Sequence, residues 1–225
     1  MTPPASAERS LSDGPAHERL LQAAKELFAA LGYENVSTSA IARRAATTES
    51  QLIKHFGSKA GLLQAVFDKG WEALDWQVKL ACRGATSPLE KFVALGSTLI
   101  NAIGEDPRLR ALLLLQGRRI RKRGRDVVLS HGFRQFVHML DDLFLDMKRA
   151  GQLRDGLHLE AVRSALLGAM EALLRDQLMA ELIDYPASYG RKDVLTMFTT
   201  LAGALLEPEA ARSLAEAVAG RTARE

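Results

Sequence analysis

Few residues of this chain have the type and spacing for bond-making chemistry. The five histidines, His17, His55, His131, His138 and His158, are scattered, and Cys82, the one cysteine, can by itself form neither an internal disulfide nor a zinc cluster. His131 and His138 stand two helical turns apart with no cysteine to join them, and Asp141 and Asp142 are adjacent and so face different ways. The chain has no phosphate-binding glycine loop, no Gly-x-Ser-x-Gly elbow and no His-Glu-x-x-His zinc helix. No catalytic residue, metal or cofactor is therefore expected. What remains is a polar set in the stretch Val36 to Lys59, VSTSAIARRAATTESQLIKHFGSK: Arg43, Arg44, Glu49, Ser50, Gln51, Lys54 and His55. These groups suit hydrogen bonds to base edges and charge contacts to phosphates.

The elements that must carry them are two short helices joined by a tight turn. In the first, Ile41 and Ala45 are four apart and share an inward face, while Arg43 and Arg44 point away. The turn is Ala46-Thr47-Thr48. Thr48 opens the second helix, and Gln51 three residues on predicts a capping box in which hydroxyl and amide satisfy each other's orphan backbone N–H groups. Leu52 and Phe56 face inward, which leaves Glu49, Ser50, Gln51, Lys54 and His55 outward. This geometry pushes one helix out, as a reader of the DNA major groove requires.

With these residues in place, the chain resembles the tetracycline-repressor (TetR) family of bacterial transcription regulators. The resemblance spans Leu20 to Phe67: an amphipathic first helix with Ala23, Ala24, Leu27 and Phe28, then Gly32-Tyr33, Val36-Ser37-Thr38, Ile41-Ala42, His55-Phe56, Ser58-Lys59 and Leu62-Leu63. No single piece is specific; the ordered set is. The sequence departs from the pattern at three places, with Ala46 where the turn has glycine, Ile53 where a tyrosine precedes the histidine by two, and Ala60 where an acid follows the lysine. Ala46 predicts a turn without positive φ, and Ile53 removes the hydroxyl that a tyrosine would offer to phosphate or base. The resemblance implies DNA contacts from Thr38, Ser39, Arg43, Arg44, Thr48, Glu49, Ser50, Gln51, Ile53, Lys54, His55 and Lys59. Within that set Glu49, Ser50 and Gln51 are expected at base edges, and Thr38, Lys54, His55 and Lys59 at phosphates. Gln51 has two readings, base contact or capping partner alone.

Charge adds little to this. The net charge is +3, and residues 1–65 hold seven Lys/Arg against six Asp/Glu. The densest basic run, Arg118, Arg119, Arg121, Lys122, Arg123 and Arg125, reads either as a solvated helix end with cations near its carbonyl terminus or as a second nucleic-acid surface. A chain of 225 residues with 47% hydrophobic residues can build a sizeable core. Its longest apolar stretch, Ala165 to Ile183, is interrupted by Glu171, Arg175, Asp176 and Glu181, so no membrane span is expected. The polar, Pro- and Ser-rich start, MTPPASAERSLSDGPA, predicts a flexible arm and no secretory signal, and the lone cysteine suits the cytoplasm, with the nucleoid as the place of work.

Beyond Lys59 the pattern is helix after helix, with no segment alternating long enough for a strand and no repeat. Ser58 caps a helix to about Arg83; Ser87-Pro88-Leu89-Glu90 opens another with a capping box, ending at Gly104; Asp106-Pro107 opens a third towards Gly117 or Gly124. Further helices are expected over Asp126 to Ala150, His158 to Ile183 and Arg191 to Pro208, with a short last one towards Ala219. Two of these look like an oligomer seam, with Ser164, Ala165, Gly168, Ala169 and Ala172 on one and Leu195, Phe198, Leu201, Ala202 and Leu205 on the other; alternatively both finish a monomeric core. The resemblance implies a four-helix dimer interface at this seam. It also implies an effector pocket, for which the middle helices offer Trp71, Leu74, Trp76, Phe92, Leu95, Leu99, Phe133, Phe136, Met139, Leu140, Phe144, Met147 and Met170, residues that serve equally as ordinary core.

The expected protein is thus all-α, with a flexible arm over residues 1–15, a helix-turn-helix domain over 16–67 and a helical ligand-binding and dimerisation domain over 68–225. Its expected function is sequence-specific transcriptional regulation as a homodimer on double-stranded operator DNA, a repressor released by a small, mostly apolar effector. Alternatives are an effector-insensitive DNA binder, and a helical ligand-binding protein or enzyme that keeps a vestigial helix-turn-helix.

Overall fold

Proline at position 15 suits a helix start, because its missing N–H is one the first turn would leave unpaired in any case. It opens α1 (Pro15–Leu31) in the computed structural model, which describes residues 15–106, 110–111 and 130–222. There follow α2 (Thr38–Arg44), α3 (Glu49–Phe56), α4 (Lys59–Ala81), α5 (Pro88–Glu105), α6 (His131–Arg149), α7 (Leu159–Leu182), α8 (Arg191–Leu205) and α9 (Pro208–Thr222). Among the described residues there is no strand, only an isolated antiparallel bridge between Leu153 and Leu206. The fold is all-α.

The described residues divide into two compact units, one of residues 15–71 with Ala111 and residues 130–132, the other of residues 72–106, Arg110 and residues 133–222. In the first, α1 presents Leu20, Leu21, Ala23, Ala24 and Phe28 at the 3.6-residue period and packs on α2 and α3. Ile41, Leu52, Leu62 and Leu63 complete this core with no exposed surface at all. Each such side chain contributes about 2 kcal/mol on leaving water.

In the second unit α5 is the central element, burying nine residues between Leu89 and Ile103. Ser87 accepts from the Glu90 N–H at 3.2 Å, but Glu90 reaches past it to the Thr86 N–H at 2.7 Å, so the expected box closes one residue early. That bond from Thr86 holds the Glu90 carboxyl below the ordinary carboxylate range. Phe92 meets Phe144 of α6 at 5.9 Å and Phe198 of α8 at 6.4 Å between ring centroids. Helix α8 lies against α5, α7 and α9, and α9 also packs on α5. Val162, Leu166, Met170 and Leu174 form a single buried stripe on α7, while Arg163 pairs with Asp141 of α6.

Most expected helices occur within a residue or two. The helix expected from Asp106 shows only Arg110 and Ala111 as helical; the rest of it, the start of the one expected from Asp126, the basic run 118–125 and nearly all of the N-terminal arm lie outside the described residues.

Candidate nucleic-acid interface

The outward helix is held by local chemistry at both ends. Ser37 caps α2, accepting from the Ala40 N–H at 3.1 Å, and Thr48 caps α3, accepting from the Gln51 N–H at 3.3 Å. The reciprocal half of the expected box at α3 is not formed. The Gln51 side chain is exposed and makes no hydrogen bond among the described residues.

The turn corrects a second expectation. Ala46 has φ +50°, the left-handed region that the absence of glycine argued against. Its N–H bonds the Arg43 carbonyl at 3.2 Å and the next N–H, of Thr47, bonds the Ala42 carbonyl at 3.0 Å, which is the Schellman closure of a helix end. This closure needs positive φ whatever residue occupies the position, and alanine bears the cost of its Cβ there, about 1 kcal/mol. Arg19 of α1 braces the turn from behind, its Nε donating to the Ala45 carbonyl at 3.0 Å.

At the other end of α3, Gly57 takes φ +72° and Gly61 lets α4 begin against it. A Cβ on Gly61 would lie 2.1 Å from the Phe56 carbonyl oxygen, so only glycine fits without backbone movement. Ser58 caps α4 by accepting from the Gly61 N–H at 3.0 Å. Phe56, expected to face inward, is only half-buried, and His17 of α1 stacks on its ring at 4.8 Å.

With α3 anchored, its outer face is defined. Leu52 is fully buried, whereas Glu49, Ser50, Gln51, Ile53 and Lys54 are exposed, as are Ser39, Arg43 and Thr48. Thr38 is half-buried and donates to the Glu49 carboxylate, tying the first turns of α2 and α3 together. Arg44 pairs with Glu26 of α1 at 2.9 Å, and the Ser39 and Ser37 hydroxyls lie 3.0 Å apart. His55 and Lys59 are half-buried; the His55 ring meets that of His17 edge-on at 5.6 Å, and the Lys59 ammonium lies 4.3 Å above the Tyr33 ring. Tyr33 in turn packs on Phe28 at 5.3 Å. Sequence spacing gave no sign of the Tyr33–Lys59 contact or of the Arg19 brace, since both join residues 26 positions apart across the fold.

In the second unit most of the candidate pocket residues lie inside the helical packing. Phe92, Leu95, Leu99, Phe136, Leu140, Phe144, Met147 and Met170 are buried, and the ring contacts place several in one packed core. Leu74 is buried and Phe133 and Met139 are half-buried, Trp71 belongs to the first unit, and Trp76 is 62% exposed beneath the Arg83 guanidinium. Trp76 thus sits on the solvent side of α4. A cavity of about 610 Å³ lies elsewhere, between the start of α5 and α9, lined by Glu90, Val93, Gln152, Ser213 and Glu216 among others. The seam residues divide as well. Ser164, Ala165, Gly168 and Leu201 are exposed, with open space where a Gly168 Cβ would project, and Ala169, Ala172, Leu195 and Leu205 are half-buried. Ala202 is buried at 2% exposure, and Phe198, half-buried, stacks on Phe92 of α5.

Among the described residues no helix is long and apolar enough to cross a membrane, and no group of three His, Cys, Asp or Glu could hold a metal ion. A search of curated proteins finds no match for the chain. Solved structures do match. The fatty acid degradation regulator FadR from Bacillus halodurans aligns over 84% of this chain and 95% of its own, with a TM-score of 0.71 and 19% identity. SmeT, the repressor of the Stenotrophomonas maltophilia multidrug efflux pump SmeDEF, aligns over 86% and 92% with a TM-score of 0.68 and 19% identity. FadR from Bacillus subtilis in complex with stearoyl-CoA gives 82% and 94%, a TM-score of 0.67 and 17% identity. At such identities these structures establish the shared fold. The sequence signature is that of residues 20–66, which match the model described as bacterial regulatory proteins, tetR family.

Proposed function

We propose that this regulator is a transcriptional repressor that binds a palindromic operator in double-stranded DNA as a homodimer and is released by a small, mostly apolar effector. The observation that carries the reading is α3 itself: an eight-residue helix with Leu52 fully buried and with Glu49, Ser50, Gln51, Ile53 and Lys54 exposed along its outer face. In this assignment residues 16–67 are the DNA reader and residues 68–225 bind the effector and dimerise, in the bacterial cytoplasm at the nucleoid. Ser50 and Gln51 address base edges, and the unbonded Gln51 amide can donate to and accept from adenine. Glu49 joins them once Thr38 releases it. Lys54, His55, Lys59 and Thr38 contact phosphate, with Ser39, Arg43, Arg44 and Thr48 at the edges of the same face; the Tyr33 ring orients the Lys59 ammonium without neutralising it.

Dimerisation follows from reach. One short helix reads few bases, whereas two related by a twofold axis read both halves of a palindrome about one helical turn apart and add their binding energies. The apolar side chains of α5, α6 and α7 supply the surroundings of the effector. Helix α4 contributes residues to both units, so a ligand that tilts it moves the reading head. A tenfold loss of operator affinity requires about 1.4 kcal/mol of coupling, and operator DNA must weaken effector binding by the same factor.

Selection of bound sequences from random DNA tests the reading: a palindrome is expected, and Lys59→Ala should weaken all sequences alike while lowering the salt slope by about one ion. Failure to enrich any sequence would overturn it. A second reading, an effector-insensitive DNA binder, is favoured by the tight burial of Phe92, Phe136, Leu140 and Met147. Titrating a compound that releases operator, with and without operator present, separates the two. Equal affinities in both titrations would leave the effector-insensitive reading.

A further inference from the structure

The outer face of α3 is polar with one exception. Ile53 is 45% exposed, a β-branched apolar side chain between the buried Leu52 and the exposed Lys54. It lies four residues, one helical turn, beyond Glu49 and three beyond Ser50, so it shares their outward stripe. Its χ1 rotamer is restricted by branching at Cβ, and it can neither donate nor accept a hydrogen bond. Among the described residues the helix has its other anchors already, being capped by Thr48 and Gly57, braced by Leu52, and closed on α4 through Gly61.

The floor of the major groove offers hydrogen-bond donors and acceptors from every base, and one apolar group, the 5-methyl of thymine. We infer that Ile53 is a specificity-determining residue that packs against a thymine 5-methyl group in each operator half-site, selecting thymine where the flanking Ser50 and Lys54 cannot. The inference rests on the DNA-reading role of α3 argued above. Cytosine at the same place presents an amino group with no methyl, so Ile53 would desolvate a donor without replacing its hydrogen bond, and discrimination has a repulsive component as well as an attractive one. A stiff side chain on a fixed helix face makes the contact positional: it should mark one or two base pairs in each half-site and no others.

The experiment uses the full-length protein and the operator obtained by selection. Each thymine of the half-site is replaced in turn by deoxyuridine, which keeps every hydrogen-bonding group and removes only the methyl. Replacement at the thymine under Ile53 should weaken binding about fourfold in one half-site and about fifteenfold in both, the loss of one buried methyl per site. In Ile53→Ala the same replacement should have no further effect, and selection with that variant should lose the thymine preference at that position while keeping the rest of the operator. Because Ile53 is nearly half exposed and lies outside the core, Ile53→Ala should melt within a few degrees of the parent, so lost affinity reports contact and not folding. Failure to select any operator overturns the DNA-reading role itself. An operator bound tightly by both proteins, with no thymine whose methyl effect disappears in Ile53→Ala, overturns the Ile53 assignment alone.

Discussion

In the helix-turn-helix unit even the seven- and eight-residue helices α2 and α3 each seal an apolar anchor completely, Ile41 and Leu52 at 0% exposure, whereas in the second unit the 24-residue α7 buries four residues and its C-terminal end leaves Leu182 at 72% and the following Ile183 at 58%. Met197 and Leu201 of α8 are exposed as well. The difference lies in what each unit must bury. Short helices cannot stand without tertiary contacts on every turn, so the first unit closes on its own core and keeps its outer face for hydrogen bonding. Long helices with a narrow buried stripe and small residues opposite retain an apolar side that one chain does not cover. In the proposed function the first unit reads and the second associates.

The largest test of this contrast is a charge placed on the uncovered side. Gly168→Glu meets open space in the single chain, so the monomer should fold; in a dimer seam the unpaired carboxylate should cost about 3–5 kcal/mol and leave monomers by sedimentation. Operator affinity should fall with it. An intact dimer would move the interface off α7. Next is the closed side. Leu52→Ala removes a fully buried side chain and should lower stability by about 2–4 kcal/mol in denaturant titration, while Leu201→Ala, at 38% exposure, should leave monomer stability within about 0.5 kcal/mol and weaken association instead. Equal losses of folding stability from the two would erase the distinction between the units.

Smaller effects sharpen the description of the reader. Gly61→Ala forces a Cβ to within 2.1 Å of the Phe56 carbonyl, so α3 and α4 must shift and operator binding should drop by more than the accompanying loss of stability accounts for. Ala46→Gly relieves the left-handed alanine of the turn and should stabilise the protein by about 1 kcal/mol, read as a rise in Tm of a few degrees. No gain would mean that the turn carries no strain. The smallest effect is electrostatic. The hydrogen bond from Lys69 holds the Glu18 carboxyl below its ordinary range. A lowered folded-state pKa gives stability that is present above the unfolded carboxylate pKa and lost as pH falls through the folded value. Both side chains are about half exposed, so the pair is worth no more than about 0.5 kcal/mol. Comparing Glu18→Gln with the parent should show a difference at pH 7 that disappears on acidification.

Much of the reader was legible in the order of residues because its determinants are local. The caps at Thr48, Ser58 and Ser87, the proline at position 88 and the four-residue spacing of the buried Ile41 and Ala45 act within four residues, and helix positions follow from them. All-α architecture and the family signature of residues 20–66 belong to the same class of information. Tertiary structure alone decided the rest. The positive φ of Ala46 is set by a helix end that must turn under Arg19, the orientation of Lys59 by a tyrosine 26 positions away, and the inward aim of Phe198 by Phe92, more than a hundred positions earlier. Apolar spacing put Trp76 and Phe92 in one set of candidates, but only the packed chain sends one to solvent beneath Arg83 and the other into the core. Periodicity fixes which residues share a face of a helix; which face meets a neighbour depends on the other helices, and those contacts are not written in any one segment.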